Sequence, residues 1–160
     1  MTAAYQIEPM RMDDYDGVIA LWKRTEGISR LETRDEMARF LERNPDLSLV
    51  VHCEHQVVAA VLCGHDGRRG YMYHLAVDRE HRRHGLAQQM VDRCLAALGR
   101  LGIIRCGLQV YRSNEIGLSY WRSTGWKERT DVAPFTHDIE VATADDGANR
   151  PTKWHDGPPS

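Results

Sequence analysis

The sequence predicts an α/β (α+β) domain built on a mixed, mostly antiparallel central sheet with helices on both faces. Two amphipathic helical segments lie near the N-terminus, and three strand-like segments joined by short turns follow them. A long helical segment then leads to a further apolar strand. Strands joined by tight turns pair antiparallel, whereas strands joined through a helix are normally parallel and right-handed, so the sheet is mixed. A chain of 160 residues suits one domain with one core.

In order, Tyr5–Pro9 reads as a first strand. Asp13 or Asp14 then caps a helix whose Tyr15, Val18, Leu21 and Trp22 form an inward stripe ended by Gly27. A polar connection, 28–32, leads to Thr33-x-x-Glu36, a capping box that opens a second helix. Met37, Phe40 and Leu41 form its buried face, and Asn44-Pro45 stops it. Leu47–Cys53 and Val57–Cys63 follow as strands across the turn Glu54-His55-Gln56, and Asp66-Gly67 turns the chain into a third strand ending near Val77. Leu86, Met90, Val91, Cys94, Leu95, Leu98 and Leu101 recur at helical spacing, with Gly99 and Gly102 as stop signals. Ile103–Val110 is expected as a strand, 114–123 as a short helix, and 126–130 and 135–141 as strands. Residues 1–142 form the expected domain. From Thr143 the chain turns poor in core formers, and 143–160 holds three of the six prolines, so a disordered tail is expected there, with Trp154 its one residue able to dock.

A hydrophobic fraction of 42% is ordinary for a globular protein, and a net charge of −2 with a pI near 6.4 argues against a general nucleic-acid or anionic-membrane binder. No run is apolar and long enough to span a bilayer, and no signal-peptide pattern is present. Cys53, Cys63, Cys94 and Cys106 form neither a C-x-x-C nor a compact framework, which suits a reduced, cytoplasmic setting. His52-Cys53-Glu54-His55 is a poor metal site, because alternation sends successive strand side chains to opposite faces, and no metal is expected.

The chemistry is expected at Tyr71–Ala87. A buried strand there runs into Arg82-Arg83-His84-Gly85 and then into a helix with no acid in its first turn. Unpaired N–H groups at a helix N-terminus, two guanidiniums and a glycine that lets backbone approach a ligand together make a phosphate cradle. Neither a G-x-x-x-x-G-K-[ST] loop nor a G-x-G-x-x-G turn occurs anywhere in the chain.

Arg82-x-x-Gly85-x-Ala87 resembles the R/Q-x-x-G-x-G/A signature of the GNAT (Gcn5-related) N-acetyltransferase superfamily. Asn114, Gly117, Trp121, Gly125 and Trp126 are similar to that family's second motif, N-x-x-[AG]-x-x-x-Y-x-x-x-G-[FW]. The resemblance implies the GNAT fold over nearly the whole domain, with acetyl-CoA as co-substrate. It places the pyrophosphate on Arg82, Arg83, His84, Gly85, Leu86 and Ala87, the pantetheine arm along the backbone of Leu75, Ala76 and Val77, and further cofactor contacts at Asn114 and Trp121. A backbone N–H at Leu75 would then polarise the thioester.

Two positions depart from the family pattern. The tyrosine that commonly protonates the departing thiolate is Trp121 here, and an indole N–H cannot act as an acid near neutral pH. Gln109 stands where relatives that acetylate protein N-termini often carry Glu. Tyr73, at a position where other members place Glu or His, and Tyr120, beside Trp121, are the candidate catalytic side chains; alternation puts Tyr71 and Tyr73 on one face and His74 on the other as a packed residue. The implied reaction is direct transfer of an acetyl group to a primary amine in a ternary complex, because no cysteine sits where an acyl-enzyme would need one. The acceptor, a small molecule or a peptide or protein N-terminus, is expected between the 27–34 connection and the 135–141 strand, where Glu32, Asp35, Asp131 and Asp138 add an acidic tint. The rival reading, motivated by Trp121 and Gln109, is a non-catalytic acyl-CoA-binding regulatory protein of the same fold. No nucleic-acid or membrane partner is expected, and the protein is expected as a monomer or homodimer.

Overall fold

The computed structural model describes residues 4–141; the expected tail from Thr143 lies outside the described residues. The chain forms β1 (Tyr5–Pro9), α1 (Tyr15–Lys23), α2 (Arg34–Arg43), β2 (Leu49–Cys53), β3 (Gln56–His65), β4 (Gly70–Val77), α3 (Leu86–Arg100), β5 (Cys106–Gly107) and α4 (Glu115–Ser123), with short 3-10 turns at Met12–Asp14 and Arg79–His81. The sheet runs β1-β2-β3-β4-β5; β1 to β4 pair antiparallel and β5 joins β4 in parallel, as a helix-linked pair should.

Helices cover both faces. Leu86, Met90, Val91, Cys94 and Leu98 of α3 pack against Val51, Val61, Cys63 and Met72 on one side. Val18, Leu21 and Trp22 of α1 and Met37 of α2 pack against Val50, Ala60, Leu62 and Ala76 on the other. The α2 capping box forms as expected: Thr33 Oγ1 accepts from the Glu36 N–H, and the Glu36 carboxylate accepts from the Thr33 N–H at 2.8 Å. Asp14 stands at the α1 N-cap, but its carboxylate goes elsewhere, to His52 Nε2 at 2.9 Å and the Arg11 N–H at 2.9 Å.

The C-terminal third departs from expectation. Of the strand expected over Ile103–Val110, only Cys106 and Gly107 pair, with Gly70 and Tyr71. The expected strands at 126–130 and 135–141 do not form. A strand needs a neighbour to take its backbone groups, and this stretch pairs with none among the described residues. Beyond half-buried Trp126 its apolar side chains stand in solvent, Phe135 at 94% and Ile139 at 83% exposure. Arg112 and Arg122 both bond Glu128, which holds the end of α4 to the chain that follows.

Among the described residues no helix is long and apolar enough to cross a membrane, and no group of three or more His, Cys, Asp or Glu side chains is arranged to hold a metal ion. His52 is occupied by Glu8 and Asp14 instead.

Candidate active site

The site begins with an irregularity in β4. Its register against β3 runs Leu62 to Tyr73 and then Ala60 to Ala76, so His74 and Leu75 together oppose Val61. This is a β-bulge, and His74 carries it on a left-handed φ of +55°. Tyr73 meets Phe40 on the α1/α2 side of the sheet, His74 meets Trp22 on the same side, and Leu75 packs on the α3 side. The bulge therefore overturns the expectation that His74 faces away from Tyr73. By strict alternation His74 would share a face with Met72, an awkward place for an imidazole, and that mismatch is the one sequence signal that could have exposed the bulge.

The bulge also sets which backbone groups are free. The Asp78 N–H donates to the Val58 carbonyl at 2.8 Å. Hydrogen-bonded pairs alternate in an antiparallel ladder, so Ala76 turns its N–H and C=O to β3 while Leu75 and Val77 turn theirs to the other side. On that other side β5 pairs only at Gly70 and Tyr71, and the two strands then part. Leu75 is left with an N–H on an open edge. Ala76, expected as a backbone contact, instead turns its backbone to the β3 ladder opposite Ala60, and its side chain is buried. The Val77 carbonyl is occupied by Arg82 Nε at 3.1 Å, which leaves its N–H.

The turn after β4 has the shape of an anion nest. Arg83 and Gly85 adopt left-handed φ values of +65° and +72°, and Gly85 is the N-cap of α3, whose first turn holds no acid. Arg82, Arg83, His84 and Gly85 are exposed, Leu86 packs into the core, and Ala87 is half-buried. His84 folds back over the turn, with Nδ1 2.9 Å from the Arg82 carbonyl and its ring 5.3 Å from that of Tyr5. Asp78, at the mouth of the turn, is held below the usual carboxylate range by the Arg24 guanidinium, which reaches one of its oxygens through both Nε and Nη2.

Across the sheet, the connection between α1 and α2 closes over β4. Ser29 Oγ lies 2.9 Å from Tyr111 Oη, and the Tyr15 hydroxyl donates to the Glu32 carbonyl at 2.8 Å. Those bonds hold the Glu32 side chain inward, with Oε1 3.1 Å from His74 Nε2. Glu32 thus contributes an internal carboxylate rather than the surface acidity expected of it, and Asp131 is engaged by Arg129. Tyr71 and Tyr73 stack 6.3 Å apart at the same end of β4, at 37% and 43% exposure. Burial, followed by the neighbouring Tyr71, pushes the Tyr73 hydroxyl up, so it stays a neutral donor near pH 7.

On α4, Asn114 is the N-cap, with Oδ1 accepting from the Gly117 N–H at 3.0 Å. Trp121 packs on Trp126 at 4.9 Å and against the α3 core. The Tyr120 hydroxyl is sealed from solvent without a partner, and burial, then Asp92, pushes it up. Gln109 is exposed. Cys53, Cys63 and Cys94 are buried, and burial pushes half-buried Cys106 up to about 12.

Residues 12–126 match the acetyltransferase (GNAT) family. The chain belongs to that family. Within it, an acetyltransferase of Pectobacterium atrosepticum is 32% identical over 111 residues, which are 69% of this chain and 79% of the relative. Two solved GNAT structures share the fold. PaiA N-acetyltransferase from Thermoplasma acidophilum, in complex with coenzyme A, has a TM-score of 0.67 at 16% identity, over 78% of this chain and 90% of that one. An aminoglycoside acetyltransferase from an uncultured soil metagenomic sample, in complex with sisomicin, has a TM-score of 0.66 at 18% identity, over 85% and 97%. The protein is thus a GNAT acyltransferase.

Proposed function

We propose that this GNAT protein transfers an acetyl group from acetyl-CoA to a primary amine by direct attack in a ternary complex. One observation carries the reading: the Leu75 N–H lies on the open edge where β4 and β5 part, on the strand that runs into the acid-free N-terminus of α3 with Arg82, Arg83 and Gly85. Arg82, Arg83 and the first N–H groups of α3 would hold the pyrophosphate. Leu75 and Val77 would pair with the amide-bearing arm as an added strand does, and the Leu75 N–H would stabilise charge developing on the thioester oxygen. Asn114, already committed to its cap, would steady the start of α4 beside the arm. An acyl-enzyme route is disfavoured, because the cysteines are buried or, at Cys106, held too far up to supply thiolate.

The test is release of free CoA with a panel of sisomicin, spermidine, an alanine-terminated peptide and a lysine peptide. Amine-dependent release is expected, with intersecting initial-rate plots and no mass increase of the protein after incubation with acetyl-CoA alone. An acetylated protein intermediate would overturn the direct route. Tight acetyl-CoA binding without release on any amine would support the non-catalytic binder.

A further inference from the structure

We propose that His74 is the base that takes the proton from the acceptor amine, and that Glu32 is the residue that positions it; this rests on the acyl-transfer reading of the open β4 edge. The bulge makes His74 the neighbour of Leu75 while sending their side chains to opposite faces. The imidazole and the N–H aimed at the thioester oxygen are therefore fixed by one short piece of backbone. Histidine is among the residues that tolerate a left-handed φ, so the strain at +55° is moderate, and such strain is retained mainly where function needs it.

The imidazole is oriented on three sides. Its ring meets Trp22 at 4.9 Å and 62°, its Nε2 lies 3.1 Å from Glu32 Oε1, and β4 carries it from below. With Nε2 engaged by a carboxylate, Nδ1 is left to accept a proton, the same division of labour by which a carboxylate holds a histidine for proton transfer elsewhere. Nδ1 has no hydrogen-bond partner among the described residues and is not among the sealed, unpartnered atoms, which are Trp22 Nε1, Glu32 Oε2 and Tyr120 Oη.

Glu32 Oε2 is the second observation. A sealed carboxylate oxygen with no donor is costly, and a positive charge forming on the adjacent imidazole offsets that cost. The ionisable groups around this pair are Glu32 from the α1–α2 connection, Tyr73 on the same strand, Tyr15 of α1 on the Glu32 carbonyl, and the Arg30–Glu36 ion pair at the start of α2. Among them only Glu32 touches the imidazole.

In the step itself, Nδ1 takes one proton from the ammonium form of the acceptor and passes it to solvent. The freed nitrogen lone pair bonds to the thioester carbon as the C=O π pair moves onto oxygen, held by the Leu75 N–H. The oxygen pair then re-forms the C=O as the C–S bond breaks with its pair leaving on sulfur, Nδ1 takes the second nitrogen proton to leave the amide, and the imidazolium passes that proton to the thiolate.

The test uses His74→Gly, which suits the left-handed backbone, and Glu32→Gln, with the panel amine that gives the highest wild-type turnover. Acetyl-CoA affinity by calorimetry should stay within about twofold in both. Turnover should fall by about 10²-fold or more in His74→Gly and by about tenfold in Glu32→Gln. An acid limb of the wild-type pH–rate profile should vanish in His74→Gly, and added imidazole should restore part of that variant's rate. A folded His74→Gly that turns over within about threefold of wild type overturns the proposal. A slow His74→Gly with an unchanged pH profile and no rescue also overturns it and makes His74 a packing residue. Wild-type protein that binds acetyl-CoA and acetylates nothing overturns the transfer reading beneath it.

Discussion

Arg82 Nε lies 3.1 Å from the carbonyl oxygen of Val77, so the turn proposed to hold the pyrophosphate is tied directly to the end of the strand that would carry the thioester. One side chain would link the two halves of the proposed acetyl-CoA site. A displacement of the turn is therefore felt at the open edge of β4, two residues from Leu75.

Gly85 separates backbone strain from charge. Its φ is +72°, and an added Cβ would meet only Gln89 Nε2, at 3.7 Å. Gly85→Ala should lose about 1–2 kcal/mol of stability to the left-handed backbone. Gly85→Asp should lose less stability, since aspartate tolerates that conformation better, yet should weaken acetyl-CoA binding by about tenfold or more, because a carboxylate at the α3 N-terminus opposes the phosphates. Calorimetry and thermal melts on both variants check the contrast, and equal affinities would remove the pyrophosphate from this turn.

Tyr120→Phe removes a sealed hydroxyl that has no partner. Its melting temperature should hold or rise, by up to ~1 kcal/mol in stability. Turnover should stay within twofold, because this hydroxyl has no hydrogen-bond partner among the described residues to exchange a proton with. A large loss of single-turnover rate at unchanged stability would restore Tyr120 as the acid.

Gly27 lies against Asn114. Its φ is +88°, and a Cβ there would fall 2.6 Å from Asn114 Nδ2. Gly27→Ala should cost about 1–3 kcal/mol and push the α1–α2 connection away from α4. Because that connection carries Glu32, KM for the amine should rise more than KM for acetyl-CoA. Steady-state kinetics with each substrate varied in turn measure the difference.

The Glu36 carboxyl lies below its ordinary value of 4.5: burial would raise it, but the Thr33 N–H and the Arg30 guanidinium outweigh that. A lowered folded value means the carboxylate's contribution is complete above about 4.5 and is lost as pH falls through the folded value. Glu36→Gln should therefore be about 1–3 kcal/mol less stable at neutral pH, since its partner Arg30 is also largely buried. The gap should close as melts are taken further below pH 4.5. A gap independent of pH would mean the effect is packing rather than charge.

What the sequence determined by itself is local. Thr33-x-x-Glu36 caps α2 because both partners lie within one turn, and Asn114 caps α4 for the same reason. The period-3.6 stripe from Leu86 to Leu98 fixes the buried face of α3, and Arg82 to Gly85 ahead of it marks the anion turn. Tertiary structure decided whatever depends on a neighbour. The apolar alternation of 103–110 and 135–141 predicts strands, yet a strand exists only where another chain segment takes its backbone groups, and β5 keeps just Cys106 and Gly107. The facing of His74 could not be read from period-2 counting, because the bulge opposite Val61 is set by how β3 and β4 pair. Glu32 stands 42 positions from His74 in the chain and becomes its partner only when the α1–α2 connection folds over β4. The turn proposed for the phosphates is legible because one local segment builds it, whereas the His74–Glu32 pair proposed for proton transfer is assembled across the fold.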